Sequence, residues 1–391
     1  MTTESEMAGE FRQRREAALA VAAERKLNAL LVCSRGGGTL DRYANVMYLT
    51  NFYTPFPFIP DRRPLWSARA HSFLLLPVDG LPALLVDVPY EPTAETGDAD
   101  IVVANDMLEA LVRELRGRGL GKSSIGLVGM DTIPWSIVRQ LETDLPDIHW
   151  SPADDILDEL RRVKSPSEIE LLRQASEIGS RAVDAMLDAA QPGMTHADVV
   201  RAGQDVLVPA GAILQNSFMA SGTGGKQPTA FRSNFPTYGA TEPLTEGQWF
   251  QVGLSGVLHG YYFDMARSTA IGTASPEQVD AFEAAIACVQ AGVDGVRPGV
   301  TAAAIAATGR ARLEELGYAL GGSFSGLGHG IGLGWDVPWL MPGDETVLEP
   351  GMVLCVERGV KRDGYSGDFE ETILVTETGA DLLTSARIRR W

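Results

Sequence analysis

The sequence predicts two domains: an α/β domain over residues 1–163 and an internally duplicated α+β domain over residues 164–391. Three observations predict it. At 391 residues the chain is too long for one ordinary core. Short apolar runs alternate with helical patterns through the first part. In the second part a Pro-Gly turn, a helix cap and a long hairpin all recur.

In the first domain, a helical pattern over Glu10–Glu24 leads into LNALLVCS (27–34). NVMYLT (45–50), SFLLLPV (72–78), PALLVD (82–87), ADIVVAN (99–105) and SSIGLVG (123–129) follow as short apolar runs, read as strands. Helical patterns fill Met107–Arg118, Trp135–Leu145 and Ile156–Val163. The boundary is RRVKSPSEIELLRQA (161–175). Pro166 disfavours helix at Ser165, and Ser165 or Ser167 can cap an amphipathic helix that starts near Glu168.

In the second domain QPGMTHADVV (191–200) returns as RPGVTAAAIA (297–306), each with a threonine placed to cap a helix. SPSEIELL (165–172) is echoed by SPEQVDAF (275–282). LTEGQWFQVG (244–253) overlays LEPGMVLCVE (348–357) without a gap at an offset of 104, and GYYFD (260–264) then overlays GYSGD (364–368). Gly253 of the first copy therefore stands where Glu357 stands in the second.

Composition excludes several classes. A net charge of −18 argues against nucleic acid or an anionic membrane as partner, because phosphates need a basic surface. No apolar run is long enough for a transmembrane helix, and MTTESEMAGEFRQRREAAL is too polar for a secretory signal. The scattered Cys33, Cys288 and Cys355 suit a reducing cytoplasm rather than a disulfide scaffold.

Four side chains invite a metal reading: Asp264 and Glu370 in the paired hairpins, Glu357 at the end of MVLCVE, and His329 in SGLGHGIGLGWDVP, where alternate glycines permit close backbone approach. One imidazole and three carboxylates suit Mn, Fe, Co or Zn. If the hairpins face each other, these acids cannot all ionise without a cation.

GYYFDMARS, GHGIGL, EPGMVLCVERG, FEETILVTETG, NVMYLTNFY and the linker RRVKSPSEIELLRQA together resemble the superfamily of methionine aminopeptidase, prolidase, aminopeptidase P and creatinase. The resemblance covers nearly the whole chain. It implies a creatinase-type N-terminal α/β domain and a pita-bread catalytic domain. It also implies a homodimer in which the N-terminal domain of one subunit borders the other's active site. Two-metal members use Asp, Asp, His, Glu and Glu. By resemblance Asp264, His329, Glu357 and Glu370 fill the last four places, and the first falls on Gly253, so one metal is expected at most.

The departures from that pattern shift the expected chemistry. ASGTGGKQPTAFRS (220–233) lacks the usual histidine. GWDVP replaces a HExP-like run and puts Trp335 or Asp336 near the second histidine's place. Asp368 replaces an arginine, and Arg358 a proline. Ordinary Xaa-Pro cleavage is therefore not the leading expectation. Relatives with altered sites, such as creatinase, ectoine hydrolase and one dimethylsulfoniopropionate lyase, act on small polar molecules. The sequence points first to a hydrolase that cleaves a C–N bond of amide, amidine or guanidine type with one metal. His329, Glu357 and Glu370 are its candidate catalytic residues, and Phe231, Arg232, Trp335 and Trp339 its candidate pocket walls. NFYTPFPFIPDRRPLW (51–66) offers further aromatics and Arg62 or Arg63. The alternatives are a metal-free creatinase-like hydrolase, with Arg267 and Arg358 neutralising the acids and His329 as base; a lyase acting on a small carboxylate or betaine; an Xaa-Pro dipeptidase; and a non-catalytic binding protein.

Overall fold

The computed structural model of the protein describes residues 4–38, 42–62, 65, 67–87, 99–227, 229–233, 242–318 and 325–391. The chain packs as two compact units, Met1–Arg161 and Arg162–Trp391.

The first unit contains α1 (Glu4–Glu24), β1 (Ala29–Arg35), α2 (Ala44–Thr50), β2 (His71–Pro77), β3 (Ala83–Val86), β4 (Asp100–Val103), α3 (Met107–Gly117), β5 (Ser124–Val128), α4 (Trp135–Asp144), β6 (His149–Pro152) and α5 (Asp154–Arg162). The strands form one mixed sheet in the order β4-β3-β2-β1-β5-β6. The expected strand NVMYLT is instead helix α2. Val46, Leu49 and Thr50 bury one helical face, and Asn51 closes the helix in the left-handed conformation. A short apolar run is compatible with either a buried strand or a buried helix by periodicity alone, and packing decides.

The second unit opens with α6 (Pro166–Ala189). Ser165 is its N-cap and forms a capping box with Glu168, in which each side chain meets the other residue's backbone N–H. There follow α7 (His196–Leu207), β7 (Ile213–Gly222), β8 (Ala230–Ser233), β9 (Trp249–Leu258), β10 (Tyr261–Ala270), α8 (Pro276–Gly295) and α9 (Ala302–Glu315). Then come β11 (Gly328–Ile331), β12 (Trp335–Trp339), β13 (Val353–Arg362), β14 (Tyr365–Val375) and β15 (Ala380–Leu382).

The duplication is visible element by element. Thr195 caps α7 through Asp198 N, and Thr301 caps α9 through Ala304 N. Ser275 and Gln278 box the start of α8 as Ser165 and Glu168 box α6. The hairpin β9-β10 turns at Leu258↔Tyr261, and β13-β14 turns 104 residues later at Arg362↔Tyr365. The strands belong to two sheets, β10-β9-β7-β8 and β12-β11-β13-β14-β15, which meet where β10 packs on β14.

Strand alternation then separates the two faces of each sheet. Phe250, Val252, Leu254, Phe263 and Met265 enter a core with α6. Leu354, Val356, Phe369 and Ile373 enter a core with α8. The intervening residues lie on the opposite faces: Gly253, Asp264 and Ala266 in one sheet, and Cys355, Glu357, Gly359, Asp368 and Glu370 in the other.

Candidate metal centre

Each of the four proposed ligands comes from a different strand. His329 lies on β11, between β12 and β13. Both flanking glycines are required by close packing. A Cβ at Gly328 would lie 1.8 Å from the Cys355 carbonyl oxygen, and one at Gly330 would lie 2.4 Å from that of Val337. Glu357 and Glu370 are direct cross-strand partners on β13 and β14. Asp264 enters from β10.

These side chains converge. His329 Nε2 lies 3.8 Å from Glu357 Oε1 and 4.0 Å from Asp264 Oδ2. One donor atom each from His329, Cys355 and Glu370 lie within 4.8 Å of one another. His329 Nδ1 is 2.9 Å from the Gly330 carbonyl. That oxygen can only accept, so Nδ1 carries the proton and the Nε2 lone pair points toward the acids.

The electrostatics follow from burial. Asp264 is pushed up to about 7 chiefly by burial, with the Trp335 hydrogen bond and the Met265 N–H opposing the shift. Burial, then repulsion from Asp264 and Asp368, raises Glu357 to about 8. Glu370, only 2 % exposed, is pushed well up by burial and then by repulsion from Asp264, Glu357 and Asp368. Burial lowers His329, which keeps the imidazole neutral.

The aromatic residues predicted as pocket walls divide into two groups. Trp335 and Trp339 sit on β12 with ring centroids 5.4 and 5.6 Å from that of His329. Trp335 Nε1 donates to Asp264 Oδ2 at 2.8 Å. Asp336, the other residue considered for that place, turns away to Lys164 Nζ at 3.3 Å, as strand alternation requires. Phe231 on β8 is exposed and packs its ring 5.6 Å from Phe218, whose backbone pairs with Gly253. Arg232 lies on β8 opposite Met219, but its side chain is outside the described residues, as are Arg63, Pro64 and Trp66 of the N-terminal stretch.

The arginine expectation is corrected. Arg267 does not neutralise the candidate ligands: Nη2 engages both carboxylate oxygens of Glu371, at 3.0 and 3.1 Å, and the guanidinium stacks on Phe369. Arg267 and Glu371 both lie on helix-covered faces, away from the acids. Arg358 also projects to that side. From there it favours ionisation of Glu357 and Asp368, as a smaller effect than burial.

Two residues of the cluster were not among the sequence candidates. Cys355, two residues before Glu357, shares its face, and burial holds its thiol well above the usual range. Asp368 shares the face of Glu370. It is raised to about 6 by burial and accepts from Gln251 Nε2 at 3.3 Å. The overlay of Asp264 on Asp368 was the signal available for it.

Comparison with known proteins now decides the family. Residues 170–377 match metallopeptidase family M24, and residues 14–163 match the Creatinase/Prolidase N-terminal domain. The chain belongs to metallopeptidase family M24. An Xaa-Pro dipeptidase of Pyrococcus horikoshii is 26% identical over 325 residues, 81% of this chain and 88% of that one. The ectoine hydrolase of Halomonas elongata is 27% identical over 349 residues, 81% and 86% of the two chains. The crystal structure of the prolidase from Pyrococcus horikoshii shares the fold, with a TM-score of 0.76 at 22% identity over 96% of this chain and 99% of that one. This M24 member is thus a hydrolase of the creatinase/prolidase type with a pita-bread domain, in a divalent-metal-dependent family. The donor set fits such an ion. Glu370 Oε1 is buried without a hydrogen-bond partner, three carboxylates oppose one another's ionisation, and a neutral imidazole offers Nε2. Among the described residues, no helix is long and apolar enough to cross a membrane.

Proposed function

We propose that this chain cleaves a C–N bond of amide, amidine or guanidine type in a small polar molecule, with one divalent metal ion held by Asp264, His329, Glu357 and Glu370. One observation carries the reading. Asp264 and Glu357 approach His329 Nε2 and Glu370 clusters with the same histidine, whereas the places in the first hairpin that correspond to Glu357 and Glu370 are Gly253 and Ala266, a cross-strand pair without a ligand atom. The similarity to an Xaa-Pro dipeptidase and to an ectoine hydrolase supports C–N hydrolysis.

When bound, the ion supplies Lewis-acid polarisation and a water acidic enough to attack near neutral pH. The protein's own groups do the rest. The Gly330 carbonyl fixes the His329 tautomer. Trp335 Nε1 orients Asp264. Glu357, with a side chain 32% exposed, is the most open of the three acids and exchanges the proton with substrate, while Glu370 at 2 % stays anchored. Trp335 and Trp339 wall one side, and Phe231, with Arg232 beside it on β8, walls the other. An Xaa-Pro peptide is disfavoured because Trp335 occupies the region where a proton-shuttling histidine is expected.

Elemental analysis of protein purified without added metal tests the ion. The expected result is about one divalent ion per chain, lost together with activity on chelation. Activity that survives chelation removes the metal and favours the metal-free reading with His329 as base. Hydrolysis in labelled water places solvent oxygen in the product; an unlabelled product means elimination by a lyase.

A further inference from the structure

We infer that the segment Thr384–Trp391, which follows β15, is a positioning element of the metal centre. It holds the buried Arg267–Glu371 pair, and that pair holds the backbone of Glu370. The inference rests on the proposed function for the ion that Glu370 would bind. Its starting point is a buried ion pair that the reaction does not use.

Arg267 is 1% exposed and Glu371 5%. A pair kept that far from water needs further bonds to offset its lost hydration. Those bonds run in two directions. Toward the centre, Arg267 Nη1 donates to the Ala266 carbonyl at 3.0 Å and to the Glu370 carbonyl. Glu371 follows Glu370 on β14, so their carboxylates leave opposite faces of one strand. Shifting the backbone that Arg267 grips therefore shifts the Glu370 carboxylate. Glu370 Oε1 has no hydrogen-bond partner of its own, so its placing falls largely to that backbone.

Away from the centre, the pair is closed by the segment after β15. Leu383 N donates to the Thr372 carbonyl at 2.8 Å and brings the chain alongside β14. Thr384 Oγ1 then donates to Glu371 Oε2, and Arg267 Nη2 donates to the Ala386 carbonyl at 3.4 Å. Thr384 and Ala386 are both buried.

The same segment is fixed to both duplicated halves. On α6, of the first half, Ser180 Oγ accepts from Ser385 N at 2.9 Å, and Asp184 Oδ1 accepts from Arg390 Nη2 at 2.6 Å. On α8, of the second half, Glu283 accepts from Arg389 at 2.6 and 2.8 Å, and Phe282 packs its ring 5.0 Å from that of Trp391. Between the helices, Thr269 Oγ1 on β10 donates to the Arg390 carbonyl at 3.4 Å. A strap fixed at both ends restricts separation of the halves. The proposed ligands come from both, Asp264 from the first and His329, Glu357 and Glu370 from the second. Ion pairs open to solvent, such as Arg389 with Glu283, hold weakly one at a time. The buried bond from Thr384 to Glu371 is therefore the point at which to test the coupling.

Thr384→Val keeps the shape of the side chain and removes that donor. Hydrogen exchange on metal-free protein should show the β14 stretch Phe369–Thr372 exchanging about threefold faster or more. Calorimetry with manganese should show affinity weakened by about three- to tenfold. Thr384→Ser, which keeps the hydroxyl, should restore both. Leu313→Ala, in the core under α9 and outside this chain of contacts, lowers stability by another route and should leave manganese affinity unchanged. Unchanged exchange or unchanged affinity in Thr384→Val overturns the inference. So does an equal loss of affinity in Leu313→Ala, which would assign the effect to general stability. Wild-type protein that takes up no ion removes the metal from the proposed function and this positioning role with it, whereas wild-type uptake with Thr384→Val indistinguishable from it refutes this inference alone.

Discussion

Ser268 and Thr372 occupy equivalent places in the two hairpins, and each reaches across to the other one. Ser268 Oγ donates to the Asp368 carbonyl at 2.9 Å, and Thr372 Oγ1 donates to the Asp264 carbonyl at 3.0 Å. The clasp is reciprocal because β10 and β14 are the strands along which the duplicated halves meet. It sets the backbones of Asp264 and Asp368, and so the position of two acids of the centre.

Breaking one half of that clasp should disturb the centre without touching a proposed ligand. Thr372 is fully buried, so Thr372→Val keeps its shape but leaves the Asp264 carbonyl without that donor. A loss of about 1–3 kcal/mol in chemical denaturation is expected. A severalfold loss of metal affinity should accompany it. Unchanged affinity at the lower stability would show that the clasp supports the fold alone.

Gly253→Asp should add a ligand on the vacant side. The backbone permits it, because a Cβ there meets only Phe218 O at 3.8 Å and Phe218 Cβ at 3.9 Å, ordinary contact distances. In excess Mn or Co, calorimetry should detect a second bound ion that the wild type does not take up, with native activity reduced. Unchanged stoichiometry would mean that Ala266 and the Trp335–Asp264 hydrogen bond already close that position.

The metal-free protein should lose stability as pH rises through neutrality. Asp264 near 7 and Glu357 near 8 are raised above their ordinary values of 3.8 and 4.5. The folded chain therefore retains protons that the unfolded chain has released. The resulting stabilisation is fully present below the ordinary carboxylate range and is lost as pH passes 7 and 8. His71 and His329, lowered by burial, act in the opposite sense around 6.5, so the diagnostic interval lies above about pH 7. Thermal unfolding of chelated protein should show a falling midpoint from about pH 7 to 8.5. Manganese should restore it, and Glu357→Gln should flatten the decline. A midpoint that rises over that interval contradicts the buried-acid account.

Much of this architecture is legible in the chain because its signals are local. Ser165 and Ser275 before proline and Thr195 and Thr301 after Pro-Gly are short-range patterns with direct steric or hydrogen-bonding causes, and the two hairpins are legible because one local pattern of residues occurs twice. The same overlay marked Gly253 against Glu357 and put Asp368 in register with Asp264. Two features were not legible. NVMYLT became α2 because a short buried apolar run satisfies either period, and Arg267 turned to Glu371 because its partner lies 104 residues away.

The sequence by itself determined the duplication, the helix caps, the four candidate ligands and the glycine opposite Glu357. Each depends on residue identity at a fixed spacing. Only the tertiary structure decided that Trp335 rather than Asp336 meets Asp264, that Arg267 serves the sheet's other face, and that Asp368 joins the acids. Those outcomes depend on strand alternation and on the packing of β10 against β14. Which side chains share a cleft, and hence which charges must be balanced there, is set by that contact between distant segments.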